Sequence, residues 1–140
     1  MDISAEMLGE ILVHAREEAP NECCGVVGVI PASDAEPATA MRVLRARNIH
    51  ASPKRFEIDG RDVIRAMSEF EEMGWEIGAI YHSHTHTAPY PSQTDINFAA
   101  HWPGVEWIIV GLANQAEPEI RSYLIEEGVV HEVEIAQIAL

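Results

Sequence analysis

In the run HSHTHTAPYPSQTD, His82 and His84 stand two residues apart and are followed by Ser92 and, three residues later, by Asp95. Two imidazoles and a carboxylate offer Zn2+ three ligands and leave its fourth position open for water, the arrangement of catalytic rather than structural zinc. One zinc ion per chain and hydrolytic chemistry are therefore expected. A zinc-bound water also needs a base that lies close to the metal without being a ligand. No acid inside the run is free for this. The best candidate elsewhere is Glu22, just before the apolar run that begins at Cys23, because a carboxylate at the mouth of a neighbouring strand can reach the water.

The elements that must position these groups are legible on either side of them. EIGAIYHSHT is apolar and β-branched enough for a buried strand, from which residues 82 and 84 project on one face. Ala88-Pro89-Tyr90-Pro91 turns the chain back, and Ser92 opens a helix over 93–101 whose first turn holds Asp95, where the helix dipole favours an anion. Ser-x-x-Asp also resembles a capping box, whose stricter form ends in Glu or Gln. His86 offers a third imidazole, which the following turn is expected to send to solvent.

Elsewhere, Met7, Leu8, Ile11, Leu12 and Ala15 recur at helical spacing after Ser4, and Pro20 ends that helix. Strands are predicted near 23–30 and 40–47 across the loop PASDAEPATA. A second helix is predicted after Asp59, with Val63, Ile64, Met67 and Phe70 on one face and Gly74 as its stop. VEWIIVGL reads as a strand, and EIRSYLI and VVHEVEI as a hairpin around Glu126-Glu127-Gly128. The expected result is a mixed, partly antiparallel sheet with helices on its faces.

At 140 residues and 47% hydrophobic, the chain is expected to form one domain, 1–140, around a single core. The N-terminal MDISAEM lacks a basic leader, and no stretch of some 18 apolar residues occurs, so neither export nor a membrane partner is expected and a cytoplasmic location is. A net charge of −14 argues against nucleic acid, which needs a basic surface. Seven of the nine cations lie between Arg42 and Arg65, either as a solvated face or as a docking patch for an acidic partner. Cys23 and Cys24 are adjacent, which strains a disulfide between them, so reduced, buried thiols are expected. A Cys–His nucleophile is the less favoured alternative.

Glu22 followed by Cys-Gly-Val-Val, together with His82-x-His84-x7-Ser92-x2-Asp95, resembles the JAMM (MPN+) metalloproteases. PNECCGVV, IYHSHT, YPSQTD and RSYLIEEGVV are more closely similar to bacterial Mec-type peptidases, over nearly the whole chain. The resemblance implies a three-layer α/β sandwich with a mixed β-sheet, like that of cytidine deaminases. It further implies that His82, His84 and Asp95 bind zinc, that Glu22 is the general acid/base, and that Ser92 stabilises the oxyanion. Cys24 stands where the family carries its usual cysteine, in a packing role. The implied reaction cleaves the amide bond after the C-terminal Gly-Gly of a ubiquitin-like sulfur-carrier protein and releases cysteine. The alternatives are an isopeptidase acting on protein conjugates of such a modifier and a non-catalytic MPN scaffold. A glycine tail suits a crowded site because it has no Cβ, and strand-like pairing to an exposed sheet edge near His82 is the expected grip.

Overall fold

The computed structural model describes residues 1–138. Its strands are β1 (Asp2–Ser4), β2 (Cys24–Ile30), β3 (Thr39–Ala46), β4 (Glu76–His84), β5 (Glu106–Gly111), β6 (Glu119–Glu126), β7 (Val129–Val133) and β8 (Ala136–Ile138). Its helices are α1 (Ala5–Glu18), α2 (Gly60–Glu72) and α3 (Gln93–Ala99). The strands form one sheet in the order β7-β6-β5-β4-β2-β3-β1-β8. β4 and β5 run parallel, as β1 does to both β3 and β8, and the remaining pairs are antiparallel.

Strand alternation divides the interior into two cores. Cys23, Val27, Ala79, Tyr81, Ile108 and Val110 pack with Ile11 and Ala15 of α1. Cys24, Val26, Ile80, Trp107 and Ile109 pack with Ala66 and Phe70 of α2 and Ala99 of α3. The outcome is the expected three-layer sandwich, with α1 on one face of a mixed sheet and α2 and α3 on the other. Ser4 caps α1 by accepting the Met7 N–H at 3.2 Å, and Asp59 caps α2 through the Arg61 N–H at 2.9 Å.

Three expectations need correction. Ile64 and Met67 are 69% and 52% exposed; the buried stripe of α2 runs through Ala66 and Phe70 instead, because Phe70 anchors the helix and the small Ala66 lies one turn before it. The short strands β1 and β8 were not expected, since three residues carry no readable period. Finally, β4 has no free edge beside His82: it pairs with β2 through Cys24↔His82 and with β5 through His82↔Ile109. Strand addition at that point is excluded.

One buried polar contact ties the histidine strand to α1. A Cβ on Gly25 would collide with the Tyr81 ring beside it; its absence lets the Tyr81 hydroxyl reach His14 Nδ1 at 2.7 Å. Burial, assisted by repulsion from Arg45, lowers the His14 pKa from 6.5 to about 4. Between these values the unfolded chain binds a proton that the folded chain refuses, so stability present above pH 6.5 is lost as pH falls through 4. The expected loss is up to about 3 kcal/mol, since His14 is only 3% exposed. Glu22, whose pKa moves upward, contributes with the opposite sign, so the comparison must be against His14→Gln. Urea unfolding of both proteins from neutral to acid pH should give a flatter profile for the variant; parallel profiles would refute the buried neutral imidazole.

Candidate metal centre

At the end of β4, His82 and His84 point to the α2/α3 face and meet Asp95 from the first turn of α3. His82 Nε2 lies 3.1 Å from both His84 Nε2 and Asp95 Oδ2, and His84 Nε2 lies 3.3 Å from the same oxygen. A tetrahedral ion with ligands at 2.0–2.1 Å separates them by about 3.3 Å, so the triangle fits the base of such a site. Tautomers fit as well. His84 Nδ1 lies 2.9 Å from the Ala88 carbonyl, which can only accept, so Nδ1 carries the proton and Nε2 of the neutral ring presents its lone pair to the triangle. Phe56 stacks on His82, with centroids 4.2 Å apart, and fixes the plane of that ring.

The electrostatics suit a cation. Burial lowers the His82 pKa, which keeps its imidazole neutral and able to donate a lone pair. Burial alone would raise the Asp95 carboxyl, but attraction to His82, bonds to both imidazoles and the Ser92 N–H together hold it well below the usual carboxylate range. The His84 pKa is raised: burial opposes the charge, and contacts with Asp95 and the Ala88 carbonyl outweigh it. Two imidazoles and one carboxylate converging within 3.3 Å form a set that a divalent cation can occupy, with any proton on His84 Nε2 displaced as the cation binds.

Glu22 lies outside the triangle, and with His82 and His84 it forms a second set of three that could hold a metal ion. It is 6% exposed, and one of its oxygens lies within 4.8 Å of a ring nitrogen of each histidine. Desolvation pushes its pKa from 4.5 up to about 7, attraction to His84 opposes this, and repulsion by Asp95 reinforces it. Ser92 is exposed and does form the capping box: its Oγ accepts the Asp95 N–H at 3.1 Å, and its own N–H donates to Asp95 Oδ2 at 2.9 Å. Accepting that bond leaves the hydroxyl proton free to donate, so capping and an oxyanion contact are compatible. His86 is exposed and outside the cluster.

Several supports carried no sequence signal. The β3–α2 connection folds over the site: Glu22 N–H donates to Ser52 O at 2.8 Å, and Thr85 Oγ1 donates to Pro53 O at 3.1 Å. Asn48 Nδ2 donates to the carbonyls of both Glu22 and Arg55, at 3.1 and 3.0 Å. Gly111, opposite His84 in β5, leaves room for the turn before α3, since a Cβ there would lie 2.8 Å from Pro89. Ser83, between the histidines, accepts the Cys23 N–H at 2.8 Å and locks the two strand ends together.

The cysteines and cations sort themselves out by burial and pairing. Both thiols are free and buried, and desolvation pushes Cys23 up to about 12 and Cys24 higher still, so neither supplies a thiolate. The Arg42 to Arg65 cations make no single positive face. Arg42 pairs with Glu69 of α2, while Arg45 pairs with Glu17 of α1 on the opposite side of the sheet.

Residues 4–126 match the family described as prokaryotic homologs of the JAB domain. The chain belongs to this family. It is 32% identical over 130 residues to the CysO-cysteine peptidase of Mycobacterium tuberculosis, covering 93% of this chain and 86% of that one. Over 114 residues it is 32% identical to the desampylase of Haloferax volcanii, covering 78% of each. The solution structure of a protein from Desulfitobacterium hafniense is 32% identical and aligns with a TM-score of 0.83, over 96% of this chain and 90% of that one. The JAMM resemblance is thereby borne out, and one of these relatives is named as a peptidase. No helix among the described residues is long and apolar enough to cross a membrane.

Proposed function

We propose that the whole chain is one zinc-dependent peptidase domain that hydrolyses the amide bond after the C-terminal Gly-Gly of a ubiquitin-like sulfur carrier and releases cysteine. His82, His84 and Asp95 hold the zinc, Glu22 is the general acid/base, and Ser92 donates to the developing oxyanion. The observation that carries this reading is Glu22: a buried carboxyl beside the ligand triangle and outside it, with its pKa near 7. A scaffold that only bound a partner would gain nothing from desolvating an acid there. A zinc held by His82, His84 and Asp95 would supply acidification of water and polarisation of a carbonyl. Glu22 is placed to take a proton from the attacking water and deliver it to the leaving nitrogen. By analogy with a side-chain amide donor in another oxyanion hole, a hydroxyl in the role given to Ser92 is worth about 2.7–4 kcal/mol.

The relatives' names support the substrate class, one being a peptidase for a CysO–cysteine adduct. Two free, adjacent cysteines support a reducing, cytoplasmic location. The test incubates the metal-loaded protein with a carrier–cysteine adduct, its variant with alanine as the last residue of the carrier, a short Gly-Gly peptide adduct and a carrier–protein conjugate, and identifies the products by mass. Release of cysteine from the first is expected, with alanine slowing it at least about 100-fold, because the added Cβ keeps the carbonyl from its place between the donors. Comparable rates on all four would mean a general peptidase and would reject the carrier.

A further inference from the structure

Nine cations share this chain with 23 acids, so a cation without a carboxylate partner is unusual. Among the described residues, Arg16, Arg47, Lys54 and Arg55 have none within 4 Å. Arg16 donates to the Gln115 carbonyl from α1, on the face of the sheet opposite the triangle. Arg47 is tied to the start of α2, where its N–H donates to Asp62 Oδ2 at 2.8 Å and its charge acts on Asp59. Lys54 and Arg55 remain. Both are exposed, and both sit in the segment folded over the metal centre, between Pro53, which binds Thr85, and Phe56, which stacks on His82.

The backbone that carries them is held beside that of Glu22. Asn48 Nδ2 binds the Glu22 and Arg55 carbonyls together, so those oxygens are no more than about 6 Å apart. Glu22 N–H is also bonded to Ser52, two residues before Lys54. If Glu22 protonates the leaving nitrogen, that nitrogen departs beside this segment. In an α-amino acid the carboxyl carbon is two bonds from the nitrogen, about 2.5 Å away. A free carboxylate is thus delivered to the neighbourhood of Glu22 and Asp95, where an acidic chain repels it unless a cation receives it. In a lysine isopeptide the same nitrogen is followed by methylenes.

We propose that Lys54 and Arg55 receive the free α-carboxylate of the departing amino acid and so select carrier–amino acid adducts over lysine isopeptides. The inference rests on the peptidase reading above. Hydrolysis breaks the C–N bond and forms a C–O bond; water gives its hydroxyl to the carrier carbonyl and its proton to the nitrogen, the new carboxyl gives up its own proton to make the amine an ammonium, and the amino acid leaves as a zwitterion. Arg55 is suited to a two-pronged grip on that carboxylate, with Lys54 adding a point charge.

The test compares the carrier–cysteine adduct with the carrier–cysteinamide adduct, which differs only in the charge of the carboxyl group. The wild type should prefer the carboxylate at least about tenfold in kcat/KM. In Lys54→Gln/Arg55→Gln the preference should fall toward one, and Arg55→Lys should keep part of it. The same ratio should appear in Kd measured calorimetrically on metal-loaded Glu22→Gln protein, which reports the contact without turnover. A wild-type ratio near one overturns the proposal, as does equal loss on both adducts in the double variant, which would make these cations a grip on the carrier body. Cleavage of neither adduct by the wild type would instead overturn the peptidase reading and this inference with it.

Discussion

Replacing Glu22 by glutamine should leave zinc bound and lower kcat by about 10²- to 10⁴-fold, the range that positioned proton transfer supplies. The amide is nearly isosteric and cannot accept the proton of the water. Because Glu22 lies beside the His82, His84 and Asp95 triangle and contributes none of its close contacts, metal content should not change. The metal-free protein offers a second readout. A carboxyl raised from 4.5 to about 7 favours the folded state while protonated, so its contribution is full below pH 4.5 and is lost as pH rises through 7. Glutamine does not titrate and should remove that slope, making the metal-free variant more stable above neutrality by on the order of 2 kcal/mol after allowance for solvent screening. Loss of zinc in this variant, or turnover near wild type, would reassign Glu22.

How much of this was legible in the sequence depends on how local the determinant is. The donors lie within fourteen residues, on a strand end and in a first helical turn, so period and spacing alone place them on one face. Glu22 was reachable because a strand mouth next to the histidine strand is a topological neighbour, and Cys24↔His82 is the pairing that results. Asn48 and Phe56 were not. Their roles depend on how the connection between β3 and α2 folds back over the sheet, which no pattern within that connection encodes. The α2 error has a related cause: Ile64 and Met67 match a helical stripe in the sequence, yet the sheet accepts only one narrow line of contact and takes Ala66 and Phe70. The open edge expected at His82 failed because pairing partners are a property of strand order, and β4 lies between two long strands.

Alanine at His82, His84 or Asp95 should each weaken zinc binding by more than about 100-fold, since even the loss of a residue that merely orients a ligand costs 10–100-fold. His86→Ala should leave affinity unchanged, because that imidazole is exposed and takes no part in the triangle. Elemental analysis after equilibration with a chelator-buffered zinc solution measures all four. Asp95 needs a further control, since its Oδ2 both completes the triangle and accepts the Ser92 N–H at the start of α3. Its alanine variant loses a cap contact worth about 1 kcal/mol as well as the ligand. Asp95→Asn separates the two: an amide oxygen can still accept from Ser92, while the charge that favours a cation is gone. Zinc loss in Asp95→Asn with the unfolding midpoint of the metal-free protein preserved would assign the carboxylate to the metal. Equal zinc loss in His86→Ala would mean a fourth protein ligand and a closed site, and a closed site leaves no place for the water that the reaction needs.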